Sequence, residues 1–161
     1  MIRMGFNIRR KFLQICAISI ALVSFPTFRG EIDSALEYSQ AELMCLATAV
    51  YHEARHESNI GMAAVAHVVI NRVESNRFPK TICGVVKQRS ATLCQFSWVC
   101  DKIRHRTDYV ATSIAWNVLE ERADSKKTDP TRGALFFQNK HMENQFPRKR
   151  LATIGNHNFY K

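Results

Sequence analysis

The chain has 161 residues, of which 46% are apolar and 23% are charged. This length suits one domain with a real hydrophobic core and leaves no room for two domains and a linker. The composition excludes a disordered chain, and the absence of a fixed-period repeat excludes a solenoid or a fibre.

The formal net charge of +9 is spread unevenly along the chain. Residues 1–30 contain five cations and no acid, so residues 31–161 hold 18 Lys and Arg against 14 Asp and Glu. About half of the positive excess therefore belongs to the N-terminal segment. This weakens the argument that a basic protein of this size binds nucleic acid.

The N-terminal segment has the layout of a secretory signal. Three consecutive cations at 9–11 precede a 14-residue apolar run over 12–25. The run is short for a membrane span, which needs roughly 20 residues, and no Ala-x-Ala cleavage site follows it. We therefore expect residues 1–30 to be a signal peptide or an N-terminal membrane anchor. The protein is then exported to the periplasm or cell envelope, with inner-membrane tethering if the leader is retained.

Export changes the interpretation of the cysteines. The four outside the leader would lie in an oxidising compartment, which favours two disulfides. Three pairings are possible; we favour Cys45–Cys83 with Cys94–Cys100, although the sequence does not choose among them. A zinc site of four thiolates is the rival, but the spacings contain no C-x2-C pair.

Hydrophobic spacing predicts helices in the first part of the mature chain. Residues 31–40 are polar and are predicted to be a connector. Apolar residues then recur every three or four positions over 41–55, which predicts a first helix. Ser58 offers an N-cap to a second helix over 60–73, which is apolar nearly all round and is expected at the centre of the core.

The second part of the chain mixes helices with short strands. A short helix is predicted over 80–88, an extended stretch over 95–98 and a longer helix over 107–122. Two β-like stretches follow, over 134–138 and 151–160. Helices first and strands afterwards predict a helix-rich α+β fold for one domain over 41–161.

One acid lies on the apolar face of the first helix. At 100° per residue, Glu53 falls about 20° from Leu46, along the stripe that Val50 continues. A carboxyl group there is desolvated, which raises its pKa and keeps it protonated near neutrality. Such a group beside a cleft suits general-acid cleavage of a glycosidic bond. The alternative is a structural Glu paired with Arg55 or Arg72.

The same residues also fit a zinc-protease pattern. Residues 52–56 read His-Glu-Ala-Arg-His, and in H-E-x-x-H two histidines on one helix face bind zinc while the Glu activates water. The helix is expected to end just past His56, and Met62 occupies the position of a third ligand. A zinc metalloprotease using His52, Glu53 and His56 is therefore the alternative function.

Six segments in register resemble the SleB/CwlJ family of cell wall hydrolases. The most telling are Tyr51-His52-Glu53-Ala54-Arg55 and Cys94-Gln95-Phe96-Ser97-Trp98, and the others lie in 61–73, 78–86, 133–137 and 154–160. The resemblance implies a lysozyme-like, lytic-transglycosylase-type fold that acts on peptidoglycan with Glu53 as catalytic acid. The chain departs from the family pattern at two positions. The family usually has Gly or an aromatic residue at the position of His52, and Gly at the position of His56.

A single acid on a buried stripe favours a lytic transglycosylase over a glycosidase with two carboxylates. As the resemblance implies, Glu53 would protonate the oxygen between N-acetylmuramic acid and N-acetylglucosamine. It would then accept the proton of the muramoyl C6 hydroxyl, giving a 1,6-anhydro product. The variant is muramidase-type hydrolysis with Glu57 as second acid, although Glu57 is expected to be solvated near the helix end.

A sugar-binding cleft needs hydrogen-bonding side chains beside aromatic rings. One segment combines both and supplies the first candidates, Gln95, Ser97 and Trp98. Further candidates, each with a core or capping role as the alternative, are Tyr51, Asn71, Phe137, His157 and Tyr160. We expect no cofactor and no metal, peptidoglycan glycan strands as partner, and a monomer.

Two other classes of protein fit parts of the sequence. A nucleic-acid binder would use the basic runs at 104–106, 126–127 and 147–150, but no nucleic-acid-binding fingerprint accompanies them. We interpret these runs as solvated loops that could attract anionic cell wall. An inactive scaffold or binding protein of the envelope is the third class.

Overall fold

The computed structural model describes residues 29–91, 93–101, 106–123, 129–142 and 147–161, with side chains from residue 40 onward except at position 123. Nearly all of the predicted signal peptide or anchor lies outside these residues. Within them, no helix is both long enough and apolar enough to cross a membrane.

The described residues form five helices and one three-stranded sheet. The helices are α1 (Arg29–Ala54), α2 (Asn59–Glu74), α3 (Ile82–Val86), α4 (Ser97–Cys100) and α5 (Tyr109–Ala123), and the strands are β1 (Phe136–Asn139), β2 (Arg150–Ile154) and β3 (His157–Tyr160). The strands are antiparallel in the order β1-β3-β2. The predicted helix-rich α+β architecture is confirmed.

The apolar helix α2 lies at the centre of the domain, as its composition predicts. Ser58 caps its N-terminus by accepting the Gly61 N–H at 3.4 Å. One side of α2 contributes Val65 and Val69 to the main core with α1, α3 and α5. The other side contributes Ala64 and Val68 to a smaller cluster under the sheet.

Two predicted segments differ in the structure. The backbone of 31–40 is helical, because α1 begins at Arg29 rather than after a loose connector. Residues 95–98 were expected to be extended, but Ser97 begins the one-turn helix α4. A four-residue helix leaves no periodic pattern, so its sequence could not be distinguished from a strand.

The turn of the β2–β3 hairpin lies against Glu57, which follows the end of α1. All four residues of β3 are buried because this strand lies in the middle of the sheet. The hairpin turns at Gly155, whose φ of +57° is the left-handed conformation that glycine adopts without steric cost. The turn therefore lies where residues just past α1 can reach it.

Both disulfides have the favoured pairing. Cys45–Cys83 joins α1 to α3 across 38 residues of sequence, and Cys94–Cys100 closes a short loop around α4. This confirms the prediction, which required Cα atoms within bridging distance; they are 5.2 and 5.7 Å apart.

Candidate active site

Glu53 lies at the wall of an open groove with a volume of about 310 Å³. Four parts of the fold build this groove: the end of α1, the last turns of α2, the segment that leads into α4, and β1. Its lining residues are Glu53, Arg72, Cys94, Gln95, Phe96, Ser97 and Phe137. The helical periodicity that placed Glu53 toward the protein therefore agrees with the structure, and the groove lies beside it.

Trp98 orients the carboxyl group of Glu53. Its indole Nε1 donates a hydrogen bond to Oε1 of Glu53 at 2.8 Å. The indole is 4% exposed and stacks on the His52 ring, with centroids 4.5 Å apart and an angle of 18° between planes. Because packing limits how far Trp98 can move, the carboxyl group has a defined orientation.

Burial dominates the protonation of Glu53. Desolvation disfavours the charged carboxylate, and the Trp98 hydrogen bond and the positive charge of Arg72 only partly oppose it. The net effect is a pKa of Glu53 raised above its ordinary value of 4.5. A raised pKa increases the protonated fraction, which is the form that a general acid requires.

Arg72 forms the back of the groove. It is 2% exposed, and its Nε donates to the carbonyl oxygen of Leu135 at 2.8 Å. Its guanidinium lies over three phenyl rings, those of Phe78, Phe96 and Phe136, at 5.4 to 5.8 Å from their centroids. Burial lowers the pKa of Arg72 to about 10, so the group remains a cation at neutral pH.

Glu57 is not solvated, contrary to expectation. Its side chain is 9% exposed, and Oε2 accepts the backbone N–H of Asn156 in the β2–β3 turn at 3.0 Å. Desolvation opposes its ionisation, but the Asn156 hydrogen bonds and the charges of His157 and Lys140 outweigh it, so the pKa of Glu57 is lowered. This contact joins residues 99 apart in sequence, which periodicity along one helix does not report.

The predicted cleft residues separate into two groups. Gln95, Ser97 and Phe137 line the groove together with Glu53. Trp98 is buried behind Glu53, so it orients the acid rather than offering a sugar platform. Tyr51 packs edge-on against His52, with the guanidinium of Arg55 over its ring at 5.2 Å, and is not part of the lining described above.

Asn71, His157 and Tyr160 have structural contacts instead of a place in the groove lining. Asn71 Nδ2 donates to Asp129, Thr131 and Ala134, and thereby holds the loop that leads into β1. Tyr160 is 2% exposed, and its hydroxyl accepts a hydrogen bond from the Gln138 amide at 3.1 Å. The side chains of Asn71 and Tyr160 are thus used within the fold, and their binding of substrate stays a prediction.

His157 is buried in the central strand. Its ring meets Phe137 edge-on at 5.3 Å, and its Nδ1 lies 3.9 Å from Oε1 of Glu57. Burial lowers the pKa of His157, and the charge of Glu57 partly opposes this effect. His157 therefore supports the groove residue Phe137 from behind, rather than lining the groove.

Sequence reasoning missed Arg72 and Phe96 as groove residues. The sequence suggests Arg72 only as a salt-bridge partner of a structural Glu53. A signal was present, since an arginine two residues after Ile70 interrupts an otherwise apolar face of α2. A buried cation on such a face needs compensation within the fold, which is what the carbonyl oxygen and three rings supply.

The zinc-protease pattern lacks the helix that it requires. α1 ends at Ala54, and His56 is an exposed residue of the following turn that accepts a hydrogen bond from Arg55 Nε at 3.2 Å. His52 instead stacks on Trp98. Across the described ranges, no group of three or more His, Cys, Asp or Glu residues is arranged to hold a metal ion.

The fold and the groove place the chain in the lysozyme-like class of helix-rich domains. The chain belongs to the cell wall hydrolase family, whose family model, described as Cell Wall Hydrolase, matches residues 56–160. The matched range begins three residues after Glu53. The resemblance to the SleB/CwlJ family is thereby confirmed.

Curated relatives and solved structures agree with this assignment. The chain is 35% identical over 127 residues to a spore cortex-lytic enzyme of Bacillus cereus and 32% identical over 126 residues to one of Halalkalibacterium halodurans. These matches cover 77% and 76% of this chain but 46% and 35% of the relatives, so the chain spans less than half of their length.

The crystal structure of the catalytic domain of the Bacillus cereus SleB protein matches with a TM-score of 0.63 and 33% identity, over 77% of this chain and 92% of that one. The catalytic domain of the germination-specific lytic transglycosylase SleB from Bacillus anthracis matches with the same score and identity, over 97% of its chain. The predicted fold is therefore confirmed over the domain that these structures define.

Proposed function

We propose that this protein cleaves the glycan strands of peptidoglycan, between N-acetylmuramic acid and N-acetylglucosamine, with Glu53 as general acid and base. One observation carries the proposal: a carboxyl group with a raised pKa, oriented by Trp98, at the wall of an open groove. Membership of the cell wall hydrolase family supports peptidoglycan as the substrate.

In the first step, protonated Glu53 donates its proton to the glycosidic oxygen. Because Oε1 accepts the Trp98 N–H, the acidic proton resides on Oε2. As the oxygen takes this proton, its bond to C1 of the muramoyl residue breaks, and the N-acetylglucosamine end leaves as an alcohol. Positive charge then develops at C1, and Glu53 is left as a carboxylate.

In the second step, the carboxylate of Glu53 takes the proton of the muramoyl C6 hydroxyl. The oxygen of that hydroxyl bonds to C1, which closes a 1,6-anhydro ring and returns Glu53 to its protonated form. No water is consumed, so one carboxyl group can serve both steps.

The groove composition favours this route over two-carboxylate hydrolysis. Among the lining residues that the structure describes, Glu53 is the one carboxylic acid. Glu57, the second acid of the hydrolytic variant, instead accepts the Asn156 N–H in the hairpin turn. We assign Gln95 and Ser97 as hydrogen-bonding partners of sugar hydroxyls and Phe137 as the ring that packs against an apolar sugar face.

Purified sacculi provide the test. We expect the wild-type chain to release fragments whose muramoyl ends are one water lighter than reducing ends, and Glu53→Gln to release almost none. Reducing ends alone would replace the transglycosylase mechanism with hydrolysis. Unchanged release by Glu53→Gln would overturn the role of Glu53, and loss of activity in EDTA that zinc restores would move the assignment to the metalloprotease.

Localisation and assembly are part of the proposal. An exported protein with residues 1–30 as signal peptide or inner-membrane tether would meet its substrate in the envelope, where the two disulfides persist. We propose that it acts there as a monomer. Fractionation of cells that produce the full chain tests the proposed location, since recovery in the cytosol with reduced cysteines would contradict export.

A further inference from the structure

Arg72 has an unused hydrogen-bonding capacity beside the acid. Its Nε is engaged by the Leu135 carbonyl oxygen, but its buried Nη1 has no hydrogen-bond partner among the described residues. An unsatisfied buried donor is costly, more so when it carries charge. Such a group in the wall of a groove points to a function beyond packing.

Arg72 and Glu53 line the same groove without forming a direct ion pair. None of the ion pairs observed among the described residues joins them. A close positive charge typically lowers a carboxyl pKa by about one to three pH units. A direct pair would therefore favour ionised Glu53 at rest and remove the proton that the first step needs.

We propose that Arg72 is a positioning residue that stabilises the carboxylate of Glu53 once its proton has passed to the glycosidic oxygen. This inference rests on the proposed function. Because Arg72 and Glu53 are not directly paired, desolvation dominates the pKa of Glu53 and favours its neutral form before the reaction. When Glu53 becomes negative, the fixed cation and its free Nη1 supply the counter-charge, and the groove needs no large rearrangement.

The groups that face Glu53 come from four elements. α2 contributes Arg72, α4 contributes the neutral indole of Trp98, and β1 contributes the neutral ring of Phe137. On α1 itself, His52 is the neighbouring titratable group and stacks on Trp98. His52 is present in every Arg72 variant, so differences between those variants isolate the charge at position 72.

Two substitutions separate the charge of Arg72 from its structural hydrogen bond. In Arg72→Gln, the side-chain nitrogen occupies the position of the arginine Nε, so the bond to Leu135 can remain while the charge is lost. In Arg72→Lys, the charge lies near the centre of the former guanidinium, but the donor to Leu135 is lost. A structural role and an electrostatic role therefore predict opposite rankings of these variants.

The experiment measures the pH–rate profile of sacculus cleavage by the full chain. The rate falls on the alkaline side as Glu53 loses its proton. Without the cation, the pKa of Glu53 rises, so in Arg72→Gln we expect this limb to move up by about one pH unit. We also expect the maximal rate to fall about tenfold, a part of the 10²–10⁴-fold contribution of general acid–base catalysis. Arg72→Lys should keep the wild-type limb.

The inference is overturned if folded Arg72→Gln keeps the wild-type limb, or if Arg72→Lys shifts as much as Arg72→Gln. If Arg72→Gln does not fold, Arg72→Lys decides: an unmoved limb supports the inference and a limb moved upward overturns it. Glu53→Gln in the same assay distinguishes a failure of the Arg72 inference from a failure of the proposed function. An inactive Glu53→Gln with an unmoved Arg72→Gln limb rejects only the role of Arg72, whereas an active Glu53→Gln rejects the proposed function as well.

Discussion

Glu53 and Glu57 lie one helical turn apart in sequence, yet their carboxyl groups have opposite environments. Among the described residues, Glu53 receives one hydrogen bond, from Trp98, and its pKa is raised because desolvation dominates. Glu57 is also desolvated, but the Asn156 hydrogen bonds and the charges of His157 and Lys140 lower its pKa. Two like residues on one segment are thus separated into an acid that can hold a proton and an anion that holds a turn.

The largest test of this comparison exchanges each acid for its amide. We expect Glu53→Gln to lower the rate of sacculus cleavage about 10³-fold, within the range of general acid–base catalysis, while the protein stays folded. Glu57→Gln is the matched control and should keep most of the activity. If the two variants exchanged these outcomes, Glu57 would be the acid and the comparison would be reversed.

A second test breaks the Glu57 contact from the other side. At Gly155 an added Cβ would clash with Oε2 of Glu57, and φ is already +57°. We expect Gly155→Ala to lower the free energy of unfolding by about 3 kcal/mol, the upper end for a strained residue. Urea unfolding followed by circular dichroism measures this effect.

Gly133→Ala is the control for backbone strain alone. Its φ is +79°, but the nearest atom to an added Cβ is the flexible Lys161 Nζ at 3.6 Å. The expected loss is about 1 kcal/mol. Equal losses at the two glycines would show that the Glu57 carboxylate does not determine the structure of the turn.

A third test changes the hydrogen bonding of Glu53. Trp98→Phe removes the N–H donor but keeps an aromatic ring against His52. Losing a hydrogen bond to the charged form raises the pKa of Glu53, so the alkaline limb of the pH–rate profile should move to higher pH. The rate should fall about tenfold, the equivalent of roughly 1.4 kcal/mol.

Trp116→Phe provides the matched control, because Trp116 is 52% exposed on α5. It should leave both the rate and the pH profile unchanged. An unchanged profile in Trp98→Phe would instead show that the indole N–H does not influence the protonation of Glu53.

The smallest expected effects are opposite slopes of stability against pH. The raised pKa of Glu53 contributes stability below the unfolded value near 4.5, which is lost as pH rises through the folded pKa. The lowered pKa of Glu57 contributes stability above that value, which is lost as pH falls through the folded pKa. Unfolding free energies measured across acid and neutral pH check this. Relative to the wild type, Glu53→Gln should gain stability as pH rises, and Glu57→Gln should gain stability as pH falls. Parallel curves would contradict the assignment of opposite shifts.

Much of the fold could be predicted because the sequence patterns that indicate it involve residues close together in the chain or the pairing of cysteines. The apolar spacing of α2, the β-like C-terminal stretches and an even number of cysteines each report on neighbours a few residues apart or on simple chemistry. The position of Glu53 could be predicted in the same way, since helical periodicity places it on the buried stripe of α1. The helical backbone of 31–40 was missed because the segment was interpreted as polar, although Ile32, Ala35 and Leu36 recur in it at helical spacing.

The roles of Trp98, Asn71 and Glu57 could not be predicted in this way. Trp98 was expected to contact sugar, but it lies 45 residues from the carboxyl group that it orients. Asn71 was expected in the cleft, but it holds a loop about 60 residues away. A polar side chain in a sequence shows its capacity to form hydrogen bonds, whereas its partner depends on how distant segments pack.

The amino-acid sequence by itself indicated the class of fold, the cysteines that form disulfides and the position of Glu53 on the buried face of α1. These follow from periodicity and composition, because burial of apolar surface acts on every turn of a helix. Only the tertiary structure decided which carboxyl group stays dehydrated and which is paired, and that Arg72 lies behind the groove with a free donor. A pKa depends on the charges and dipoles within a few ångströms, and those come from residues that the chain brings together only when it folds.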